Sequence, residues 1–341
     1  MDDKRTTIRD VAREAEVSIT TVSRFLNRDY ASMSETTKQR ISKAVSKLGY
    51  NNPRSKGRRC VALVIPSISD PFFAQTAEAV SEQLESVGIS MQLCLTGDLF
   101  DKEERIIRRL LTPEITGIIY MSTVTTSENC YDMLKAEGKP FVVLDSYLSE
   151  YNAPAMVYSN GVYGMYEVTG YLLENGHRDI AYLSGIRYGM FEHYRYQGYV
   201  NALLNAGLEV NPRLTRFVSF GVDDGLRAFE ELYSSGEHFT AVICESDQLA
   251  AGVYKGCHRA NLSIPGDISV VGYNNSNIST LLEPALTTVD QCLDILAENA
   301  VDMLIKQLND RPIVDRTIRV PAKLIPRNSV ANITNLSKEN N

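Results

Sequence analysis

Hydrophobic positions along the first 50 residues recur at helical spacing. Ile8, Val11, Ala12 and Ala15 share one face of a helix predicted from Ile8 to Glu14, with Thr7 able to cap it. Val22 and Leu26, at i and i+4, share a face of a second helix, Ile19 to Leu26, which Ser18 can cap. A third, capped by Ser34 and ending near Leu48, turns Ile41, Val45 and Leu48 inward and Lys38, Arg40, Lys43 and Lys47 outward. Only Ala15, Glu16 and Val17 separate the first two helices. Such a tight join predicts a steep crossing, as in a helix-turn-helix unit, whose second helix projects its early residues into a DNA major groove. Thr20, Arg24 and Asn27 share the polar face of that helix.

From Cys60 onward the period changes. Short β-branched runs alternate with amphipathic stretches: VALVIP at 61–66, SMQLCL at 90–95, GIIYMS at 117–122 and FVVLD at 141–145. A second set reads AMVYS at 155–159, DIAYLSG at 179–185, AVICES at 241–246 and SVVGY at 269–273. Helices are predicted over 163–174, 194–206, 225–233, 249–259 and 293–308. This βαβ rhythm predicts parallel sheets with helices on both faces, and its repetition predicts two doubly wound lobes. Ligands of open parallel sheets bind beyond the carboxyl ends of the strands. That rule nominates Ser69 to Phe73, Ser122, Thr123, Asp145, Ser146, Arg187, Ser246, Asp247, Asn274 and Asn275. Phe72 and Phe73 either offer flat faces to the C–H side of a pyranose or pack as core where a helix begins. Asp145, Asn274 and Gln291 offer acceptors and amides for adjacent hydroxyls.

Composition sharpens the division. The chain has 341 residues and a net charge of −7, but residues 1–59 hold 14 of the 35 Lys+Arg and 7 of the 42 Asp+Glu. A basic head of net +7 therefore precedes a body of net −14, the asymmetry expected of a nucleic-acid-binding appendage. No run approaches the roughly 18 apolar residues of a membrane span, and the start, MDDKRTTIRDVARE, has no apolar core of a signal peptide. A cytoplasmic protein with no membrane association is expected. The six cysteines show no C-x-x-C spacing and read as reduced thiols. Nucleophile-elbow, phosphate-loop, H-E-x-x-H and Rossmann glycine motifs are all absent, and the four histidines are dispersed, so neither an enzyme nor a bound cofactor or metal is expected. His177 reads as a structural loop residue.

The run T-I-R-D-V-A-R-E-A-E-V-S-I-T-T-V-S-R-F-L-N from Thr7 to Asn27, with M-S-E-T-T-K-Q-R-I and L-G-Y ending at Tyr50, closely resembles the headpiece of the lactose-repressor/galactose-repressor family of bacterial regulators. In the body, I-S-D-P-F-F at 68–73, E-N-G-H-R-D-I-A-Y-L-S-G at 174–185, T-A-V-I-C-E-S-D at 240–247, P-G-D-I-S-V-V-G-Y-N-N at 265–275 and L-T-T-V-D-Q at 286–291 resemble the same family's effector domain. The resemblance implies an all-α helix-turn-helix headpiece on an α/β periplasmic-binding-protein-like body of two doubly wound parallel-sheet lobes. It implies a headpiece at 1–50, a short basic linker at 51–60, a first lobe at 61–158 and 291–320, a second at 159–290 and 321–330, and a polar tail at 331–341. It further implies a homodimeric repressor of carbohydrate-utilisation genes, reading a roughly palindromic operator under control of a small sugar or sugar phosphate. Ile19, Thr20 and Arg24 take the base-reading positions. Thr7, Ser18, Thr21, Ser23, Asn27, Thr37 and Tyr50 lie near phosphates, joined by Arg54 of the linker. Phe72, Phe73, Asp145, Arg195, Ser246, Asn274 and Gln291 take the effector-contact positions.

The chain departs from the family at several places. Glu16 replaces the usual turn glycine and would have to bear a positive φ. Asn274 stands in Gly272-Tyr273-Asn274-Asn275 where aspartate is usual, and Ser246 stands where asparagine is common. The linker NNPRSKGRRC is shorter than the family's hinge helix and has no apolar wedge before Cys60, so little central kinking of the DNA is expected. Two other readings share these features: a transporter's sugar-binding protein, disfavoured by the head, and a regulator answering to a protein partner.

Overall fold

The computed structural model describes residues 6–26, 33–48, 59–121, 128–145, 155–185 and 194–334. The chain forms two compact units, residues 1–59 and 60–341.

The first unit holds α1 (Ile8–Glu14), α2 (Ile19–Leu26) and α3 (Glu35–Leu48). Val11, Ala12, Ala15, Val22, Ile41 and Ala44 are buried together. Two of the three helix starts are capped by an accepting hydroxyl as predicted, and at the first Asp10 reaches back to Thr7. Thr7 donates from both its amide and its hydroxyl to the Asp10 carboxylate, Ser18 Oγ accepts from the Thr21 amide, and Ser34 Oγ accepts from the Thr37 amide. Glu16 takes φ +51° between α1 and α2, as the missing glycine requires.

In the second unit the chain runs β1 (Cys60–Ile65), α4 (Pro71–Ser86), β2 (Ser90–Leu95), α5 (Phe100–Leu110), β3 (Ile115–Tyr120), α6 (Glu128–Ala136), β4 (Phe141–Leu144) and β5 (Met156–Ser159). It continues through α7 (Gly161–Glu174), β6 (Ile180–Gly185), α8 (Tyr194–Asn205), β7 (Thr215–Val218), α9 (Val222–Ser234), β8 (Ala241–Cys244), α10 (Asp247–Arg259) and β9 (Ser269–Val271). Last come α11 (Ile278–Leu281), β10 (Thr288–Asp290), α12 (Leu293–Leu308), β11 (Thr317–Val320) and β12 (Lys323–Ile325).

A six-stranded parallel sheet orders as β11-β5-β4-β3-β1-β2 and a four-stranded parallel sheet as β7-β6-β8-β9. The inner strands β4, β6 and β8 are buried at every position, as expected for strands covered by helices on both faces. The edge strand β2 is half open, leaving Leu93 exposed. Two details differ from the sequence pattern. AMVYS at 155–159 belongs to the first sheet, where β5 pairs with β4 and β11, and the second sheet is completed by β7, whose T-R-F-V carries too few apolar residues to announce a strand.

Core membership shows where the chain passes between the lobes. Val157 packs in the first lobe and Met165 in the second, Val289 in the second and Cys292 in the first, Val320 in the first and Ala322 in the second. The crossings therefore fall near Asn160, Gln291 and Pro321, and a short antiparallel pair, β10 with β12, ties two of them together.

Candidate functional site

In the headpiece, α2 buries Val22 and exposes Thr20, Arg24 and Ile19, the last 46% exposed. An amphipathic helix that opens a hydroxyl, a guanidinium and an apolar side chain within its first two turns has the chemistry for base edges and a thymine methyl. Ser23 is half-buried. Thr7, Ser18, Thr21 and Thr37 stand at helix starts with hydroxyls engaged in capping: Ser18 Oγ bonds Thr21 Oγ1 at 2.7 Å and Ser34 Oγ bonds Thr37 Oγ1 at 2.8 Å. Asn27, Tyr50, Arg54 and the rest of 51–58 lie outside the described residues, as do Ser122, Thr123, Ser146 and Arg187, while Cys60, expected to end the linker, is the first residue of β1.

The cleft residues come together from strand ends of both lobes. Asp145 follows β4 in the first. Its Oδ1 accepts the Ser159 amide at 3.0 Å, and burial pushes its carboxyl upward, against the pull of that bond and of Arg195. Arg195, one residue into α8, lays its guanidinium 4.0 Å from the centre of the Tyr273 ring. Its Nη1 donates to the main-chain carbonyl of Glu245 at 2.9 Å. Burial opposes the charge, but Tyr273, Glu245 and Asp145 outweigh it and hold the guanidinium above its usual value.

Gln291 Nε2 donates to Asn274 Oδ1 at 2.8 Å, both residues being buried. Each amide thereby fixes the other's orientation and retains a group to offer a ligand. Next to them Asn275 donates to Asp290 at 3.2 Å and accepts from Arg327 at 2.7 Å, and Asp290 receives the Cys292 amide at 2.7 Å. Asp145, Asn274, Asn275 and Cys292 all have positive φ, at 44°, 101°, 50° and 56°. None is glycine, and such strain persists only where the surroundings over-determine it. Gln75, Glu78, Glu82, Asn274, Asp290 and Cys292 help to line a cavity of about 310 Å³ beside this crossover.

Three expectations change in detail. Phe72 and Phe73 are 7% and 3% exposed and pack edge to face, centroids 5.3 Å apart, within the first-lobe core. Asp70 caps α4 by accepting the Phe72 amide, and both rings then turn inward, so neither presents an open flat face. Ser246 is buried as the cap of α10, its Oγ accepting the Leu249 amide at 3.2 Å, which takes up one of its two acceptor lone pairs. Asp247 points to the crossover instead of the cleft, accepting from Ser276 and Thr288.

Sequence reasoning passed over Glu245 and Tyr273. Glu245 is buried, its Oε1 accepting the Tyr182 hydroxyl at 2.5 Å and its Oε2 the Gly185 amide at 3.1 Å. The available signal was a carboxylate placed immediately after the all-apolar strand Ala241–Cys244.

The chain thus joins a helix-turn-helix unit to a body of two parallel-sheet lobes. Residues 7–52 match the bacterial regulatory proteins of the lacI family, and residues 169–330 match the periplasmic binding protein-like domain. The chain is 30% identical to the HTH-type transcriptional repressor PurR of Vibrio campbellii, over 95% of this chain and 98% of that protein. Among solved structures it resembles the transcriptional regulator CelR in complex with cellobiose, with TM-score 0.73, 26% identity, and coverage of 95% of this chain and 100% of that one. It also resembles a LacI family regulator of Enterococcus faecium with bound ribose, with TM-score 0.71, 26% identity, and coverage of 80% and 99%. The chain belongs to the lactose-repressor/galactose-repressor family. It is a sequence-specific DNA-binding transcriptional regulator and not an enzyme.

Proposed function

We propose that the protein is a cytoplasmic, homodimeric repressor of carbohydrate-utilisation genes whose affinity for a roughly palindromic operator is set by a small sugar in the cleft. The observation that carries the sugar reading is the buried Gln291–Asn274 amide pair next in the chain to Tyr273, over whose ring lies Arg195, itself acted on by Asp145. A carboxylate, a guanidinium fork and a coupled amide pair together supply donors and acceptors to vicinal hydroxyls. The ribose and cellobiose seen in the related structures support the same ligand class. Ile19, Thr20 and Arg24 are assigned to base edges. Thr7, Ser18, Thr21, Ser23, Asn27, Thr37, Tyr50 and Arg54 are assigned to phosphates. Dimerisation accords with the few base pairs that one recognition helix reaches. Calorimetric titration with a panel of sugars tests the cleft. Asp145→Ala and Arg195→Ala should each weaken the binding sugar at least tenfold with the fold intact, and unchanged affinity in both variants would remove the site assignment.

A further inference from the structure

Arg195 and Glu245 have an unusual division of labour. Arg195 makes one hydrogen bond to protein, to the carbonyl oxygen of Glu245, and no carboxylate approaches it closely enough to form an ion pair among the described residues. The rest of its fork is left for a ligand. Its charge is nevertheless answered. The Glu245 carboxylate lies on the very residue whose carbonyl holds Nη1, and both of its oxygens act as acceptors, from Tyr182 Oη and from the Gly185 amide. Asp145 is a second acid acting on the same guanidinium, and among the described residues its carboxylate accepts from the Ser159 amide.

We infer that Glu245 determines ligand charge: it offsets Arg195 without occupying its N–H groups, so the cleft accepts an uncharged hydroxylated ligand and rejects the phosphorylated form. This rests on the sugar reading above and narrows it. Among the described residues Glu245 and Asp145 both act on the Arg195 guanidinium, two acids to one base. A neutral hydroxyl can still accept from the oriented fork, whereas a phosphate would have to be desolvated beside Glu245 and Asp145. Glu245 itself need not touch the ligand, since Tyr182 and Gly185 hold its oxygens. It acts through Arg195.

Two measurements test this at low ionic strength. The first uses inorganic phosphate as the probe, by calorimetry on the full chain. Wild type should bind it weakly or not at all. Glu245→Gln, close in shape and still able to accept from Tyr182, should bind at least tenfold more tightly, and the gain should vanish when Arg195→Ala is added. Tight binding by wild type, no gain in Glu245→Gln, or a gain that survives loss of Arg195 would overturn the inference. Glu245→Ala serves as the second variant should the glutamine protein fold poorly. The other measurement needs no variant and compares glucose with glucose 6-phosphate and ribose with ribose 5-phosphate on wild type. Any parent sugar that binds should exceed its phosphate ester by at least tenfold, and preference for an ester would overturn the inference. If no sugar of either kind binds, the sugar reading falls, and the phosphate arm still decides the role of Glu245.

Discussion

Arg40 of α3 donates through Nη2 to both the main-chain carbonyl and the carboxylate of Glu16, at 3.3 and 2.9 Å. The bond pins the turn between α1 and α2 at the residue that carries positive φ. Left-handed backbone at a non-glycine residue costs about 1–2 kcal/mol, while an exposed ion pair is worth about 0–1 kcal/mol. Glu16 and Arg40 are both largely exposed, so the strain is the larger effect. Glu16→Gly should therefore stabilise the headpiece by about 0.5–1 kcal/mol despite losing the pair. Hydrogen exchange of the α1 and α2 amides would measure it, and faster exchange in the glycine variant would mean the ion pair dominates.

Arg24 stands exposed on α2, one turn beyond Thr20 on the same polar face. Arg24→Ala should lose about 1–3 kcal/mol on an operator obtained by in vitro selection, with weak binding to random DNA largely intact. Both affinities must be taken at one salt concentration, because phosphate contacts carry the salt dependence. Equal loss on both DNAs would make Arg24 a phosphate contact.

Gly198 lets α8 lie against α7. A Cβ there would sit 2.2 Å from the Val162 carbonyl oxygen and 2.9 Å from Met165 Cβ. Gly198→Ala should cost about 1–3 kcal/mol by overpacking. It should also weaken ligand binding, because Arg195 lies one turn earlier on the same helix and would move off the Glu245 carbonyl. Urea unfolding and calorimetry would show both, and unchanged stability would mean that the helices separate without penalty.

His177 is buried with Nδ1 2.9 Å from Thr240 Oγ1 and Nε2 3.1 Å from the Ala331 carbonyl. A carbonyl only accepts, so Nε2 carries a proton, while Nδ1 shares a hydrogen bond with the Thr240 hydroxyl. Burial holds its pKa below the ordinary value of 6.5. The stabilisation is thus present above pH 6.5 and lost as pH falls through the lower folded-state value. Asp247 acts with the opposite sign. Burial pushes it up to about 6, so its stabilisation is largest below the ordinary value of 3.8 and is lost as pH rises through about 6. His177→Gln should flatten the acid-side loss of thermal stability between pH 7 and 5 relative to wild type. An unaltered slope would show that the ring titrates alike in the folded and unfolded chains.

The headpiece was almost wholly legible in the chain. Thr7, Ser18 and Ser34 mark helix starts, Val22 and Ile41 mark inward faces, and Glu16 marks the strained turn, because caps, helical periodicity and backbone sterics are local. The βαβ rhythm and most of the strands were legible for the same reason. Sheet membership was not legible from the rhythm: β5 reads there like the start of the second set, whereas the family resemblance put 156–158 in the first lobe, where β5 pairs with β4 and β11. The cleft was legible as a set of strand ends but not as a constellation. Whether Phe72 faces a ligand or the core depends on how α4 seats on its sheet, and the bond from Arg195 to the Glu245 carbonyl depends on residues 50 positions apart meeting. Hydrogen bonding and charge compensation act through space, over distances of a few ångströms that the order of residues does not encode until the sheets are assembled.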